Sequence, residues 1–399
     1  MMTIAEKIMF ALSVFSIGYI FLQLLSLTVL LKFPSPAKKQ AAASTYRPFV
    51  SILKPVRGID AGGYENFKSF CNLDYPNYEL IFGVAEKSDL VIEQIKALQK
   101  EFPHLPIHLA LSSKEIGHNP KVNNLANAYD LSRGEVIVMS DSDVRVEPDY
   151  LQHAVSPLAN KKIGLVTAVV MAFGAKTFWA GLHALLVNGG IGGVYSLLYQ
   201  MGRLDMGFGP SLSIRREVLE EIGGFQPIKD FVAEDNLIGF LVKQRGYKVV
   251  MQTKIVKVYK ESSDWSQQDS QILRWLVAGG KHTRFVTWII PLFFATHVTL
   301  TNLILFRNER ALVLLAIAIG SRTLFYMVMS FFFVKEPRLI RYLWGILWAE
   351  MAFAYIWFKS IYTNRVIWRG RWYRVFSGGR MERLEGIEEA DIALLGEAA

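Results

Sequence analysis

Ile8 to Leu31 is 24 consecutive residues without a charge, bounded by Lys7 and Lys32. At about 1.5 Å per residue, a helix of that length covers the ~30 Å hydrocarbon core of a bilayer. It is longer than the apolar core of a cleaved signal peptide, so it reads as an uncleaved signal anchor, despite Ala41-Ala42-Ala43 downstream. Everything after it must therefore fold beside a lipid surface. Lys32, Lys38, Lys39 and Arg47 follow the stretch, against Glu6 and Lys7 before it. That bias places the following domain in the cytosol. Pro34, Pro36 and the alanine run form a short linker.

Composition narrows the partners. The chain of 399 residues is 52% hydrophobic and 13% aromatic, with a net charge of +9. A basic balance suits nucleic acid, an anionic membrane or an anionic ligand. Zinc-finger spacing and other nucleic-acid motifs are missing, so membrane and phosphate are the expected partners and nucleic acid is not. The single cysteine, Cys71, rules out an intrachain disulfide framework and a cysteine-built metal site. It reads as a small buried hydrophobe.

Between the anchor and the C-terminal third, apolar runs alternate with helical patterns. Strands are expected at 49–54, 78–85 and 107–111, with helices at 64–70 and 91–102, the latter capped by Asp89. Gly117-His118-Asn119-Pro120-Lys121-Val122-Asn123-Asn124-Leu125 is a polar loop running into a helix. Further strands are expected at 164–170, 212–215 and 247–251, with helices from Glu217 and over 237–244. This alternation predicts an α/β, mostly parallel, doubly wound sheet. Phe178 to Gln200 is apolar, uncharged and glycine-interrupted. It suits a buried helix pair, a membrane-surface element or an extra span.

The densest chemical signal is Val136-Ile137-Val138-Met139-Ser140-Asp141-Ser142-Asp143. A buried strand ends in two carboxylates one residue apart, at the sheet edge where α/β folds bind ligands. Asp141 and Asp143 can share one hard divalent cation, and such a cation can neutralise a diphosphate. Alone the signal is weak, because Asp-Ser-Asp also occurs in ordinary turns.

The remainder turns apolar again. Phe285 to Phe306 is weakened by Pro291 and His297. Ala311 to Val334 carries only Arg322, and Tyr342 to Phe358 carries Glu350 among interfacial Trp and Tyr. Arg322 and Glu350 are expected to pair, since intramembrane charges find partners. Arg365, Arg369, Arg371, Arg374 and Arg380 fit a cytosolic membrane surface. Four full spans would leave that tail outside, so one segment is interfacial or re-entrant, and Phe285 to Phe306 is the candidate.

Taken in order, Leu53-Lys54-Pro55, Glu86, Asp141-Ser142-Asp143, Glu234-Asp235 and Gln271-Ile272-Leu273-Arg274-Trp275 follow the D, D, D, Q/R-x-x-R-W pattern. The chain thereby resembles processive-type family 2-like glycosyltransferases of the GT-A fold. More narrowly, it resembles ceramide glucosyltransferases. Ser51 to Gly58, Leu73 to Glu79, Gly117 to Leu125, Ala233-Glu234-Asp235 and Trp368-Arg369-Gly370-Arg371-Trp372-Tyr373-Arg374 carry that likeness, which runs from about Phe49 to Gly379. A bacterial hopanoid-modifying group with an N-acetylglucosamine donor is also similar, but the Asn119 to Asn124 loop is nearer the ceramide enzymes. One departure stands out: the family's first aspartate is Glu86 here, and Asp89 is the alternative for its nucleotide contact.

The resemblance implies a GT-A (Rossmann-like) catalytic domain with an N-terminal transmembrane anchor and C-terminal transmembrane or interfacial helices. The division expected is 1–34 anchor, 35–48 linker, 49–284 catalytic domain, 285–363 membrane helices and 364–399 basic tail. The implied reaction moves a sugar, glucose by preference, from a UDP-sugar to the hydroxyl of a membrane lipid, with ceramide favoured over a hopanoid. Asp141 and Asp143 would hold Mg2+ or Mn2+ on the diphosphate, and Asp235 would be the base. Arg274 would grip the diphosphate beside Gln271, with Trp275 walling the pocket. Lys54, Pro55, Glu86 or Asp89, Lys121, Asn123 and Asp141 would line the donor. Glu234, His183, Gly209 and Pro210 would face the acceptor, although His183 is more often a packing residue. The rivals are a hopanoid N-acetylglucosaminyltransferase, a polysaccharide synthase and a non-catalytic membrane scaffold or transporter. The weak spans argue against a synthase, and the set Asp141, Asp143, Asp235 and Arg274 argues against a scaffold or transporter.

Overall fold

The computed structural model describes residues 2–32, 45–282 and 290–384. The expected linker around Pro34, Pro36 and the alanine run, the start of the Phe285 segment and the end of the tail lie outside the described residues. The eight strands of the main sheet are β1 (Val50–Pro55), β2 (Tyr78–Val84), β3 (Ile107–Leu111), β4 (Val136–Met139), β5 (Val144–Arg145), β6 (Ile163–Phe173), β7 (Leu212–Arg215) and β8 (Lys248–Tyr259). Their order is β3-β2-β1-β4-β7-β6-β8-β5.

The expected parallel sheet is present in the half that builds the site: β3, β2, β1 and β4 run parallel. Beyond β4 the sheet is mixed. β7 is antiparallel to both β4 and β6, and β5 is antiparallel to β8. Nothing in the local pattern of Leu212 to Arg215 encodes that direction, because β7 enters from a loop rather than from a crossover helix. β8 also runs well past the expected 247–251, with a register shift against β6. Its lysines disguise the alternation: Lys254 and Lys257 point outward to Glu147 and Asp149.

The sheet is buried on both faces, as near-continuous apolar runs require. Val50, Ile52, Val136 and Val138 face one core. Leu53, Ile137 and Met139 face the other. The period-2 alternation thus sends one strand's residues into two separate layers.

Among the described residues, four helices are long and apolar enough to cross a membrane: Ile4–Lys32, Phe178–Gln200, Glu309–Val334 and Pro337–Tyr362. Phe178–Gln200 is the most enclosed, at 65% buried. It is two helices joined by a π-turn at Val187–Ile191. Asn188 there exchanges hydrogen bonds with the Ala172 backbone of β6, at 2.7 and 2.9 Å. Ser196 meets Ser26 of the N-terminal helix at 2.8 Å. The segment is largely enclosed by the fold, while its length and apolar composition also fit the expected extra span.

Of the Phe285 to Phe306 segment, Ala295–Phe306 is a helix of 12 residues, shorter than a span. The basic tail then folds into three antiparallel strands, β9 (Arg365–Trp368), β10 (Arg371–Val375) and β11 (Met381–Arg383). Val366, Tyr373, Val375 and Met381 pack against Ile272, Leu273 and Val277 of the helix Trp265–His282. The tail is thus a folded sheet seated on that helix. An arginine-rich run alternating with Val, Trp and Tyr buries its apolar side against the catalytic fold.

Arg322 and Glu350 do meet, with Nε 3.2 Å from Oε1 and both side chains buried. Removing one member of a buried pair leaves an uncompensated charge, at a cost of about 3–5 kcal/mol. Glu350→Leu should therefore lower the melting temperature in detergent markedly, while Arg322→Leu/Glu350→Leu regains most of the loss. Melting of the single variant at the wild-type temperature would show that the pair does not hold these helices together.

Candidate active site

The topology places the site. β1 and β4 are adjacent and parallel, but their connections leave toward opposite sides of the sheet, and a crevice opens at their carboxyl ends. Lys54 stands at the end of β1. Its chain is wholly buried and its ammonium sits over the Phe70 ring, 3.6 Å from the centroid. Nζ donates to the Asp141 carbonyl at 2.8 Å and to Ser140 Oγ at 3.2 Å. Burial, against the nearby Asp141 and Asp143 charges, pulls the amine down to about 7. Lys54 therefore supports the carboxylate turn from beneath. This corrects its expected place on a nucleotide pocket wall, which a fully buried side chain cannot line. Pro55 ends β1 beside Gly83.

Above Lys54 the turn presents Asp141 and Asp143. Burial, with the charges of Asp141 and Asp60, pushes the Asp143 carboxyl up to about 7. Asp60, from the loop after β1, accepts the Ser142 hydroxyl at 2.5 Å. The site is thus crowded with like charge, which favours a cation. The donors are oxygen only, as a hard divalent ion requires. Among the described residues no group of three His, Cys, Asp or Glu closes a metal cage. A cation on Asp141 and Asp143 would therefore retain open positions for ligand oxygens.

Lys121 lies at the centre. Asn119 caps its helix, Pro120–Tyr129, by accepting the Lys121 and Val122 N–H groups. Lys121 Nζ then bridges Asp141 Oδ1 at 2.6 Å and Glu234 Oε1 at 2.9 Å. Burial opposes its charge, but Asp141, Glu234 and Asp235 outweigh burial and hold the amine above the usual lysine range. The other Glu234 oxygen accepts Asn119 Nδ2 at 3.2 Å. Glu234 is buried and fully engaged, which corrects its expected acceptor contact.

Asp235 lies in the first turn of the helix Glu234–Gln244 rather than at its cap, which is Ala233. Its oxygens accept the N–H groups of Gly209 at 2.7 Å and Asn236 at 2.8 Å. A helix start by itself lowers a carboxylate pKa. Here burial and the Glu234 charge prevail, and Asp235 rises to about 6. The antiparallel course of β7 puts its leading loop at this same end of the sheet. A Cβ on Gly209 would lie 2.8 Å from Lys121 Nζ, 3.2 Å from Asp235 Oδ2 and 3.6 Å from Asp141 Oδ2. Gly209 is the floor of the site, and Pro210 turns the chain toward β7.

The helix Trp265–His282 closes one side. Arg274 is turned inward over the Trp368 ring, 4.4 Å from its centroid. Burial chiefly lowers its pKa, against the charges of Glu234 and Asp141. Gln271 Oε1 accepts Lys260 Nζ at 3.4 Å. Trp275 is half exposed, 5.9 Å from the His183 ring. His183 itself is buried against Gln268, with Nδ1 2.9 Å from Oε1, the packing role that its apolar surroundings favour.

Two expected donor contacts are used elsewhere. Asn123 accepts the Ile116 and Gly117 N–H groups and donates to the Gly117 carbonyl, so it shapes its own loop. Asp89 accepts Gly58 N at 2.8 Å and Val91 N at 3.0 Å, fastening two loops. Glu86 instead stays half exposed between Arg57 and Arg371, at 3.4 and 3.5 Å. Of the two alternatives, Glu86 has the reachable carboxylate.

Sequence reasoning missed Asp60, Asn119, Lys260 and Arg369. Arg369 Nη1 and Nη2 lie 3.1 and 3.3 Å from the two Asp60 oxygens. Its motif was visible, but not its destination across the chain. Asp60 gave no signal beyond lying just past a strand end.

Against known proteins, the profile of glycosyl transferase family 21 matches residues 8–381. Ceramide glucosyltransferase 1 of Caenorhabditis elegans is 24% identical over 349 residues, 84% of this chain and 73% of that protein. Ceramide glucosyltransferase 3 of the same organism is 30% identical over 57% of this chain and half of its own length. Beta-monoglucosyldiacylglycerol synthase of Trichormus variabilis is 28% identical over 48% of this chain and 41% of its own. Among solved structures, the mannosyltransferase PcManGT of Pyrobaculum calidifontis, in complex with GDP-Man and Mn2+, has the same fold. It matches with a TM-score of 0.51 and 18% identity, covering 88% of this chain and 99% of that one. With the profile spanning nearly the whole chain, this hexosyltransferase belongs to glycosyl transferase family 21, the ceramide glucosyltransferase family.

Proposed function

We propose that the chain is an inverting glucosyltransferase that moves glucose from UDP-glucose to the hydroxyl of a membrane lipid, ceramide by preference. The observation that carries this is the direct seating of the carboxylate site on apolar helices. Phe208, beside Gly209, packs on Tyr195 of the helix Gly192–Gln200, with ring centroids 3.7 Å apart. The helix bearing Arg274 also touches the helix Ile346–Tyr362, where Lys359 holds Asp269 at 2.6 Å. A lipid hydroxyl reaching the end of that apolar surface arrives beside Gly209 and Asp235. Relatives named for glucose transfer to ceramide or to diacylglycerol support the lipid class. The excess of Lys and Arg after the first helix assigns the catalytic fold to the cytosol.

In this reading Asp235 takes the proton from the acceptor hydroxyl. The freed oxygen attacks the anomeric carbon, the bond to the diphosphate breaks, and UDP leaves with the electron pair. Attack opposite the leaving group converts an α-linked donor into a β-glycolipid. Mg2+ or Mn2+ on Asp141 and Asp143 would supply Lewis-acid neutralisation of the diphosphate. Lys121 bridges Asp141 and Glu234 beside Asp235, while Arg274 offers its fork to the diphosphate. Glu86 is the nucleotide-side carboxylate.

A general base contributes about 10²–10⁴-fold. Asp235→Asn should therefore lower kcat by at least ~100-fold with unchanged donor binding. Since Asp235 is raised to about 6, its base form dominates at pH 7 and is lost as pH falls through 6. Wild-type kcat should show that acid limb, and a wild-type profile without it would remove Asp235 from the role.

Chelation should abolish transfer of labelled glucose to ceramide, and Mn2+ should restore it. Transfer that persisted after complete metal removal would overturn the role given to Asp141 and Asp143. Gly209→Ala places a methyl group between Lys121 and Asp235 and should cost tenfold or more in kcat while leaving the melting temperature near wild type. Full activity of that variant would mean the acceptor does not approach over Gly209.

A further inference from the structure

We propose that the C-terminal hairpin completes the donor site, with Arg369 as a second guanidinium for the donor diphosphate and Asp60 as the residue that positions it. The inference rests on the donor reading above. No carboxylate among the described residues pairs with the half-buried Arg274 guanidinium, which lies over the Trp368 ring. The next residue along the hairpin is Arg369, close enough for the two cations to oppose one another's charge. Two guanidiniums at one turn, one without a carboxylate partner, form a seat for an anion carrying more than one charge.

Arg369 is held for that purpose. Its fork meets both Asp60 oxygens, and Asp60 in turn accepts the hydroxyl of Ser142, between Asp141 and Asp143. Two bonds thus run from the hairpin tip to the carboxylate turn. The fork uses only part of the guanidinium's donors and leaves the remaining N–H groups for a ligand. Arg57 anchors the same tip by donating to the Arg369 carbonyl at 3.1 Å.

Arg369 and Gly370 have φ of 50° and 75°, so the chain places a non-glycine residue in the left-handed region. That conformation disfavours a long side chain and is kept where surrounding contacts fix it. At its base the tail holds the other half of the site. Val232 N donates to the Gly379 carbonyl at 3.1 Å and Met381 N to the Asp230 carbonyl at 2.6 Å, just before Glu234 and Asp235.

The test is calorimetric titration of the full-length protein in detergent with Mn2+, comparing UDP with uridine, which lacks the diphosphate. Arg369→Gly removes the guanidinium while suiting the positive φ. It should lose at least tenfold in UDP affinity and less than twofold in uridine affinity. Arg369→Lys, with the charge but not the fork, should fall between, and Asp60→Asn should shift UDP alone in the same direction. UDP binding by Arg369→Gly within twofold of wild type would overturn the proposal. So would equal losses for UDP and uridine, which mark the hairpin as a strut. Should wild type bind GDP and not UDP, the donor reading fails, and GDP against guanosine decides Arg369 in the same way.

Discussion

Five carboxylates, from Asp60, Asp141, Asp143, Glu234 and Asp235, gather at one end of a buried sheet, and the arrangement of the surrounding cations answers that constraint. Like charges in a low-dielectric crevice repel strongly unless they are paired or protonated. Lys121 satisfies two of them directly. Arg369 covers Asp60 from a distant part of the chain. Asp143 and Asp235 are left with carboxyls raised to about 7 and about 6. One of these residues belongs to the pair suited to a metal, and the other is the proposed base. The division of labour follows from where the fixed cations stop.

The same crowding explains why Lys54 is buried. A lysine under the turn, donating to the Asp141 carbonyl and the Ser140 hydroxyl, fixes the backbone that aims both aspartates. It acts through geometry, because its own charge is weakened by burial. Support from beneath and neutralisation from the sides are separate tasks, met by different cations.

Among the described residues, packing joins the apolar helices to the site. The N-terminal helix holds the Phe178–Gln200 pair through Ser26 and Ser196. That pair is fixed to β6 through Asn188 and meets the site loop through Tyr195 and Phe208. The helix with Arg274 lies between the membrane helix Ile346–Tyr362 and the tail sheet. A shift of the apolar helices would therefore move Gly209 and Arg274 together.

Much of this was readable in the sequence. The apolar runs declared the membrane helices and the strands, because hydropathy and period-2 patterning are local properties. A buried strand ending in Asp141 and Asp143 gave the ligand end of the sheet, and the resemblance pointed to Asp235 and Arg274. Tertiary structure decided the rest, since hydrogen-bond partners are set by neighbours distant in sequence. Lys54 and Asn123 looked like ligands and are structural, because the fold uses every polar atom they carry. β7 turned antiparallel, which no local pattern specifies, and so brought Gly209 into the centre. The arginine-rich tail read as a membrane-facing surface, but pairing into β9, β10 and β11 gave it an apolar side to bury and carried Arg369 to Asp60. Sequence alone determined which elements form and which end of the sheet is chemical; only the assembled chain decided which charges face one another there, because Coulomb energy depends on distances that folding sets.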